Sequence, residues 1–168
     1  MLLLRFLQRL VKTLNSDGTP GQVALGIAMG SALGLTPLLN LHNLLIIGAV
    51  FLFNVSFPAA MLGWIAFAPI GFLFDPWFDA VGNALLADAT SLVPLYNVPV
   101  IPLSNYNNTV VLGSLVGWIV LFAPIFFVAR LGLAWYRTRV LPRLLNTRIF
   151  KFVRASKLYN FYQLFQTD

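Results

Sequence analysis

Residues able to do chemistry are few in this chain, and they fall at three places. Asn40, His42 and Asn43 cluster just after Pro37. His42 is the single histidine, and an imidazole can act as acid, base or metal ligand. The two amides beside it supply neither the further imidazoles nor the carboxylates that a metal would want. No serine or cysteine nucleophile stands with it in a recognisable motif. The plainer reading is that the asparagines cap helix ends and satisfy a turn. Asn54, ahead of Pro58, reads the same way. Asp75 and Asp79, four apart, could share a proton or bind a cation if both lie on one helical face. Asp75 precedes Pro76, however. A helix starting there would put both carboxylates in its first turn, where negative charge complements the helix dipole. The third feature is a repeat of small residues, Gly26, Gly30 and Gly34, with Ala24, Ala28 and Ala32 about 200° round the same helix. Two flat faces let neighbouring helices approach closely, within the chain, with a second subunit or around a lipid chain.

The elements that must position these residues follow from composition and charge. The chain has 168 residues, of which 59% are hydrophobic and 10% charged, with a mean hydropathy of +0.82. A water-soluble domain carries roughly 25% charged residues, so an ordinary soluble globule is excluded, as is a disordered chain. There is no cysteine and no glutamate. Disulfides, thiolate metal sites and carboxylate-rich cages are therefore out of reach, and no cofactor or metal is expected. The eleven basic residues form two blocks. Arg5, Arg9 and Lys12 lie at the start. Arg130, Arg137, Arg139, Arg143, Arg148, Lys151, Arg154 and Lys157 lie at the end. Residues 13–129 contain no Lys or Arg. Basic residues collect on the cytoplasmic side of membrane spans, so both ends are expected in the cytoplasm and the number of full crossings is even.

Leu3, Leu7, Leu10 and Leu14 share a helical face opposite Arg5, Gln8, Arg9 and Lys12, which predicts an amphipathic interfacial helix over 1–15 rather than a signal peptide. Thr19 and Pro20 are suited to cap and begin the next helix. Apolar segments follow near 20–36, 40–54, 57–74 and 109–130. The first three are short against a hydrocarbon core of about 30 Å. Either all three cross a thin or deformed bilayer, or the first two form a re-entrant hairpin; the link at 54–58, free of charge, favours re-entry. In both cases residues 75–108 are external. They are expected to begin as an interfacial helix from Asp75 to Asp88 and to become extended around Pro94, Pro99 and Pro102. The last span, 109–130, carries Gly113 and Gly117 for close packing and Pro124 as a kink. The tail, 131–168, is basic and aromatic. Directly after a span, Arg143, Arg148, Lys151 and Arg154, with Arg5, Arg9 and Lys12 at the other end, are suited to anionic inner-leaflet headgroups rather than nucleic acid.

The run from Pro20 through Ala24-Leu25-Gly26-Ile27-Ala28-Met29-Gly30-Ser31-Ala32-Leu33-Gly34-Leu35-Thr36-Pro37, followed by Asn54 and Pro58-Ala59-Ala60, resembles the domain-of-unknown-function 2062 family of small bacterial inner-membrane proteins, over roughly residues 1–130. Two departures mark a divergent member. The family's Gly after the helix-ending Pro is replaced by Leu38-Leu39-Asn40, and its later Asn-Pro by Ala68-Pro69. The resemblance implies an envelope-lipid context, because some relatives are joined to or encoded near glycosyl- or acyltransferases acting on lipids. The expectation is therefore an all-α, multi-pass bacterial inner-membrane protein forming a single membrane domain. Its leading role is non-enzymatic: anchoring or assembling another membrane or envelope protein, with self-association left open. The alternative is a small transporter or lipid-translocating protein with a groove between the short helices near Asn40 and His42.

Overall fold

The computed structural model describes residues 18–53, 55–87, 94 and 97–145, and every regular element among them is helical. The amphipathic segment expected over 1–15 and the tail beyond residue 145 lie outside the described residues. Helix α1 spans Pro20–Leu35, α2 Leu41–Leu52, α3 Phe57–Leu86 and α4 Thr109–Trp135. A short 3₁₀ turn covers Ile101–Ser104 between α3 and α4. Beyond α4 the chain runs through a π-helical stretch, Tyr136–Val140, into a short helix α5, Leu141–Leu145. The chain divides into two compact units, residues 1–130 and 131–168.

Helix α1 starts where its sequence dictates. Thr19 Oγ1 accepts from the Gln22 backbone N–H, the Gln22 side chain accepts from the Thr19 N–H, and Pro20 fills a first-turn position. This reciprocal capping box satisfies two donors that the helix cannot satisfy itself. No residue of α1 is exposed. Both small-residue faces are occupied: Ala24, Ala28 and Ala32 are fully buried, and the glycine face lies on α3. α1 is thus the central helix of the first unit. Its carbonyls receive side chains locally and across helices: Ser31 Oγ donates to Ala28 O at 2.7 Å, and Trp118 Nε1 of α4 reaches the same carbonyl at 3.1 Å.

The expected break at residues 74–75 is absent. Helix α3 continues through Pro69 and Pro76 to Leu86, so the apolar segment at 57–74 and the helix expected from Asp75 are one element. Each proline removes one backbone hydrogen bond and crowds the preceding turn. Packing on both sides offsets that cost. Ala59, Ala60, Gly63 and Gly71 are buried, as are Phe78 and Gly82 further on. Two further boundaries differ. The proline-rich stretch is not wholly extended, since Ile101–Ser104 coils into a 3₁₀ turn after Val100 at φ 78°. The last apolar helix does not end at Arg130 but continues to Trp135, because nothing in Leu131–Trp135 breaks a helix.

Candidate functional site

The close seams are made by glycines meeting backbone. A methyl group built on Gly30 would lie 1.8 Å from Ala60 O, and one on Gly63 2.2 Å from Ile27 O. Gly26 faces Ser56 O and Ala59, and Gly34 faces Trp64 O and Ala68 N. Contacts therefore pair rising numbers on both helices, so α1 and α3 run in the same direction. On the far part of α3, a methyl on Gly113 would meet Phe78 O at 1.8 Å, and one on Gly82 would meet Thr109 O at 1.9 Å. Gly117 lies under the Phe78 ring. Here rising numbers on α3 meet falling numbers on α4, so those helices are antiparallel. All five glycines singled out for packing thus face other helices of the same chain.

The polar cluster is built around the turn between α1 and α2. Asn43 is buried, with 1% of its surface exposed. Its Nδ2 donates to Pro37 O at 2.8 Å and lies 3.3 Å from Leu38 O. Its Oδ1 lies 3.0 Å from Thr36 Oγ1, whose hydroxyl proton is also within reach of Ala32 O at 2.8 Å. Asn40 stands at the N-cap position of α2 without capping it. Its Nδ2 donates instead to Pro37 O at 2.6 Å. Asn105, in left-handed backbone at φ 52°, donates to Asn40 Oδ1 at 2.7 Å and toward Leu39 O at 3.3 Å. Three successive turn carbonyls, of residues 37, 38 and 39, thus receive side-chain amides. His42 stands apart from this network. Its Nε2 is buried and has no hydrogen-bond partner among the described residues. Asn54 lies outside the described residues.

The carboxylate pair does not serve a first turn, because α3 begins at Phe57 and both residues are interior to it. Asp79 instead accepts a hydrogen bond from Thr109 Oγ1 across the α3–α4 seam and one from Asn83 Nδ2 at 3.1 Å. Of the basic residues expected at lipid headgroups, Arg143 is described and exposed. Arg5, Arg9, Lys12, Arg148, Lys151 and Arg154 lie outside the described residues. Among the described residues no group of three or more His, Cys, Asp or Glu side chains could hold a metal ion.

Three cross-links were not legible in the sequence: Asn40 to Asn105, Asp79 to Thr109, and Ala28 to Trp118. The first joins residues 65 apart and the last residues 90 apart. A weak pointer exists for the second, since Thr109 extends the four-residue spacing of Gly113 and Gly117 and so belongs to the same packing face.

These helices define an all-helical protein with two segments long and apolar enough to cross a membrane, Phe57–Leu86 and Thr109–Arg143. The chain belongs to the family described as uncharacterized protein conserved in bacteria (DUF2062), matched over residues 4–141, as the Gly-rich run and the Pro58-Ala59-Ala60 element implied. It is similar to an uncharacterized protein of Treponema pallidum (strain Nichols), with 29% identity over 160 residues, covering 93% of this chain and 98% of that relative. No solved structure matches.

Proposed function

We propose that the chain is an integral protein of the bacterial inner membrane with both basic ends in the cytoplasm, acting as a non-enzymatic scaffold for another component of the envelope or its lipid machinery. The observation that carries the membrane part is the outward-facing surface. Phe72, Leu73 and Trp77 on α3 and Val120, Val128 and Leu131 on α4 are each at least two-thirds exposed. Large apolar side chains this exposed along two long helices mark a surface that something apolar covers, which supports lipid as its medium. The scaffold part is supported by how the polar groups are engaged. Asn40, Asn43, Asn105 and Asp79 hold turns and helices of this chain together rather than lining a shared reaction centre. Because the glycine faces are closed within the chain, a partner would dock on the outer faces, not on the small-residue repeat.

A second reading, passage of a lipid through a groove between the short helices, is favoured by one observation, the unpartnered His42 Nε2. One measurement tests the membrane setting that both readings share, and a second separates them. Alkaline carbonate washing of membranes should leave the protein in the pellet; its release would refute membrane integration. Gentle solubilisation and co-purification should recover a stoichiometric envelope partner. A monodisperse chain with no partner, together with loss of lipid transfer in reconstituted vesicles on His42→Phe, would favour the second reading.

A further inference from the structure

The depth of each turn can be read from which residues touch. Trp118 on α4 meets Ala28 on α1, and Asn105, just before α4, meets Asn40, just after α1. The two helices are therefore antiparallel and nearly level, residue against residue. Arg130, the first basic residue of the second block, is twelve residues beyond Trp118, about 18 Å of helix. Pro20, the start of α1, is eight residues before Ala28, about 12 Å. Both lie toward one side of the unit, the basic side, where Arg130 stands. The opposite side carries the Asn40–Asn43 turn, Asn105 and the Asp79–Thr109 pair.

The turn between α2 and α3 does not reach the basic side. Gly26 packs directly on Ser56 O and Ala59, which places the start of α3 level with Gly26, about 9 Å short of Pro20 at 1.5 Å per residue. Helix α2 is 12 residues long against 16 for α1, a deficit of about 6 Å in the same direction. Val55 is buried in a cluster with Val50 and Ala60, against Leu25 and Met29 of α1, so the tip is fixed against the middle of α1. Among the described residues of the tip, every exposed side chain is apolar. Phe51, Leu52 and Phe53 are 68%, 82% and 67% exposed, and Phe51 stacks on Phe57 across the tip with ring centroids 5.3 Å apart. Returning along α3, Gly71 meets Gly34 and Leu35 at the far end of α1. One turn later come Asp75 and then Asp79, level with Thr109.

We propose that α2 and the first part of α3 form a re-entrant hairpin. It enters at Asn40 from the face opposite the basic ends and leaves at Asp75 on that same face, with its tip of Phe51, Leu52, Phe53 and Phe57 seated among lipid acyl chains near mid-bilayer. The full crossings are then α1 and α4, an even number, and the re-entrant pair is α2 with α3 rather than α1 with α2. The arrangement accounts for three facts at once. The tip carries no basic residue because it never reaches the cytoplasm. Asp75 and Asp79 stay at a polar face although they belong to a long apolar helix. The carbonyls of residues 37–39 are met by amides at a turn packed against the external loop. Lipid is the occupant argued for because an aromatic tip placed well inside the thickness spanned by α4 would otherwise face unfilled hydrocarbon depth.

This inference rests on the membrane reading, and the test keeps the two apart. The chain has no native cysteine, so single cysteines can be placed by Ser104→Cys, Ser156→Cys, Ser56→Cys and Phe53→Cys in the full-length protein. Retention after carbonate washing tests membrane integration by itself. In proteins so retained, a membrane-impermeant maleimide should label Ser104→Cys from outside intact cells and Ser156→Cys only in inverted vesicles. Ser56→Cys and Phe53→Cys should show loss of labelling from both sides and recover it in detergent. A bimane attached at Phe53→Cys should be quenched in vesicles of phosphatidylcholine brominated deep in the acyl chain, and not by headgroup-level quenchers. Labelling of Ser56→Cys or Phe53→Cys in inverted vesicles would overturn the hairpin in favour of full crossings by α2 and α3. Labelling from outside would overturn the embedded tip. Absence of quenching by brominated lipid would overturn lipid as the occupant in favour of another protein or a second copy. Phe53→Cys guards against a folding defect at Ser56→Cys, since Phe53 projects outward.

Discussion

Substituting Gly30 by alanine tests one of the two tightest glycine seams among the described residues. The added methyl would lie 1.8 Å from Ala60 O and 2.6 Å from Ala60 C. The obstacle is backbone, which cannot rotate away as a side chain can. Even a 3.0 Å contact requires α1 and α3 to part by about 1.2 Å, and a gap of 0.5–1 Å already forfeits about a quarter to a half of each pairwise dispersion well. Overpacking of this kind costs about 1–3 kcal/mol, with the upper end appropriate where backbone must move. Alanine returns about 1 kcal/mol through its better helix propensity, leaving a net loss of about 2 kcal/mol. Gly48→Ala is the control. Gly48 lies within α2, and a methyl there meets nothing within 4 Å, so the same substitution should stabilise by about 1 kcal/mol. The two variants should differ by about 3 kcal/mol, more than a hundredfold in equilibrium constant. Unfolding of purified protein in mild detergent by added SDS, followed through the four tryptophans, measures both. Equal stability of Gly30→Ala and Gly48→Ala would refute the claim that the glycine face of α1 is closed against α3 backbone.

Other consequences are open to the same measurement. Asp79→Leu should cost about 1–3 kcal/mol, because it removes the acceptor of the Thr109 hydroxyl. Asp79→Asn, which keeps an acceptor oxygen, should cost less, and a double-mutant cycle with Thr109→Val should show a coupling of about 0.5 kcal/mol or more; strict additivity would deny the bond. Asn43→Leu should destabilise by about 2 kcal/mol, since it leaves Pro37 O and Leu38 O with fewer donors and Thr36 without its side-chain partner, whereas Leu39→Ala, at a side chain 92% exposed, should change folding stability little. Trp118→Phe keeps the ring and removes only the donor to Ala28 O, so its cost should be close to 1 kcal/mol; a loss several-fold larger would mean that ring packing, not the indole N–H, joins α4 to α1.

Much of the architecture was legible because it depends on short-range chemistry. Thr19, Pro20 and Gln22 specify a helix start without reference to anything distant. Glycine at every fourth residue identifies a close-packing face from helical geometry alone. The sequence does not say which helix meets that face, since Ala59, Ala60 and Gly63 could as well have packed on Gly113 and Gly117. The break expected at Asp75-Pro76 failed for a related reason. A carboxylate before a proline is a sound local start signal, but a helix already under way can pass through a proline when both of its halves are packed. Phe78 and Gly82 on α4 supply that packing. Likewise Asp79 had an adequate local role as a first-turn acid until Thr109, thirty residues on, provided a partner that no local rule foresees.

By itself the sequence determined the apolar character of the chain and the segregation of its charge, the two features on which the proposed membrane setting and orientation rest. Apolar content, the absence of Lys and Arg across residues 13–129 and the two basic ends follow from transfer energies of individual side chains, which do not depend on the fold. Helix starts and small-residue faces were also its own, since they arise within one or two turns. Only the tertiary structure decided that α1 is a helix with no exposed residue, that the α2–α3 turn stops level with Gly26, and that Asn40 and Asp79 tie distant segments together. Those outcomes depend on which surfaces meet at van der Waals distance. That is a property of the whole chain's packing rather than of any one segment's composition.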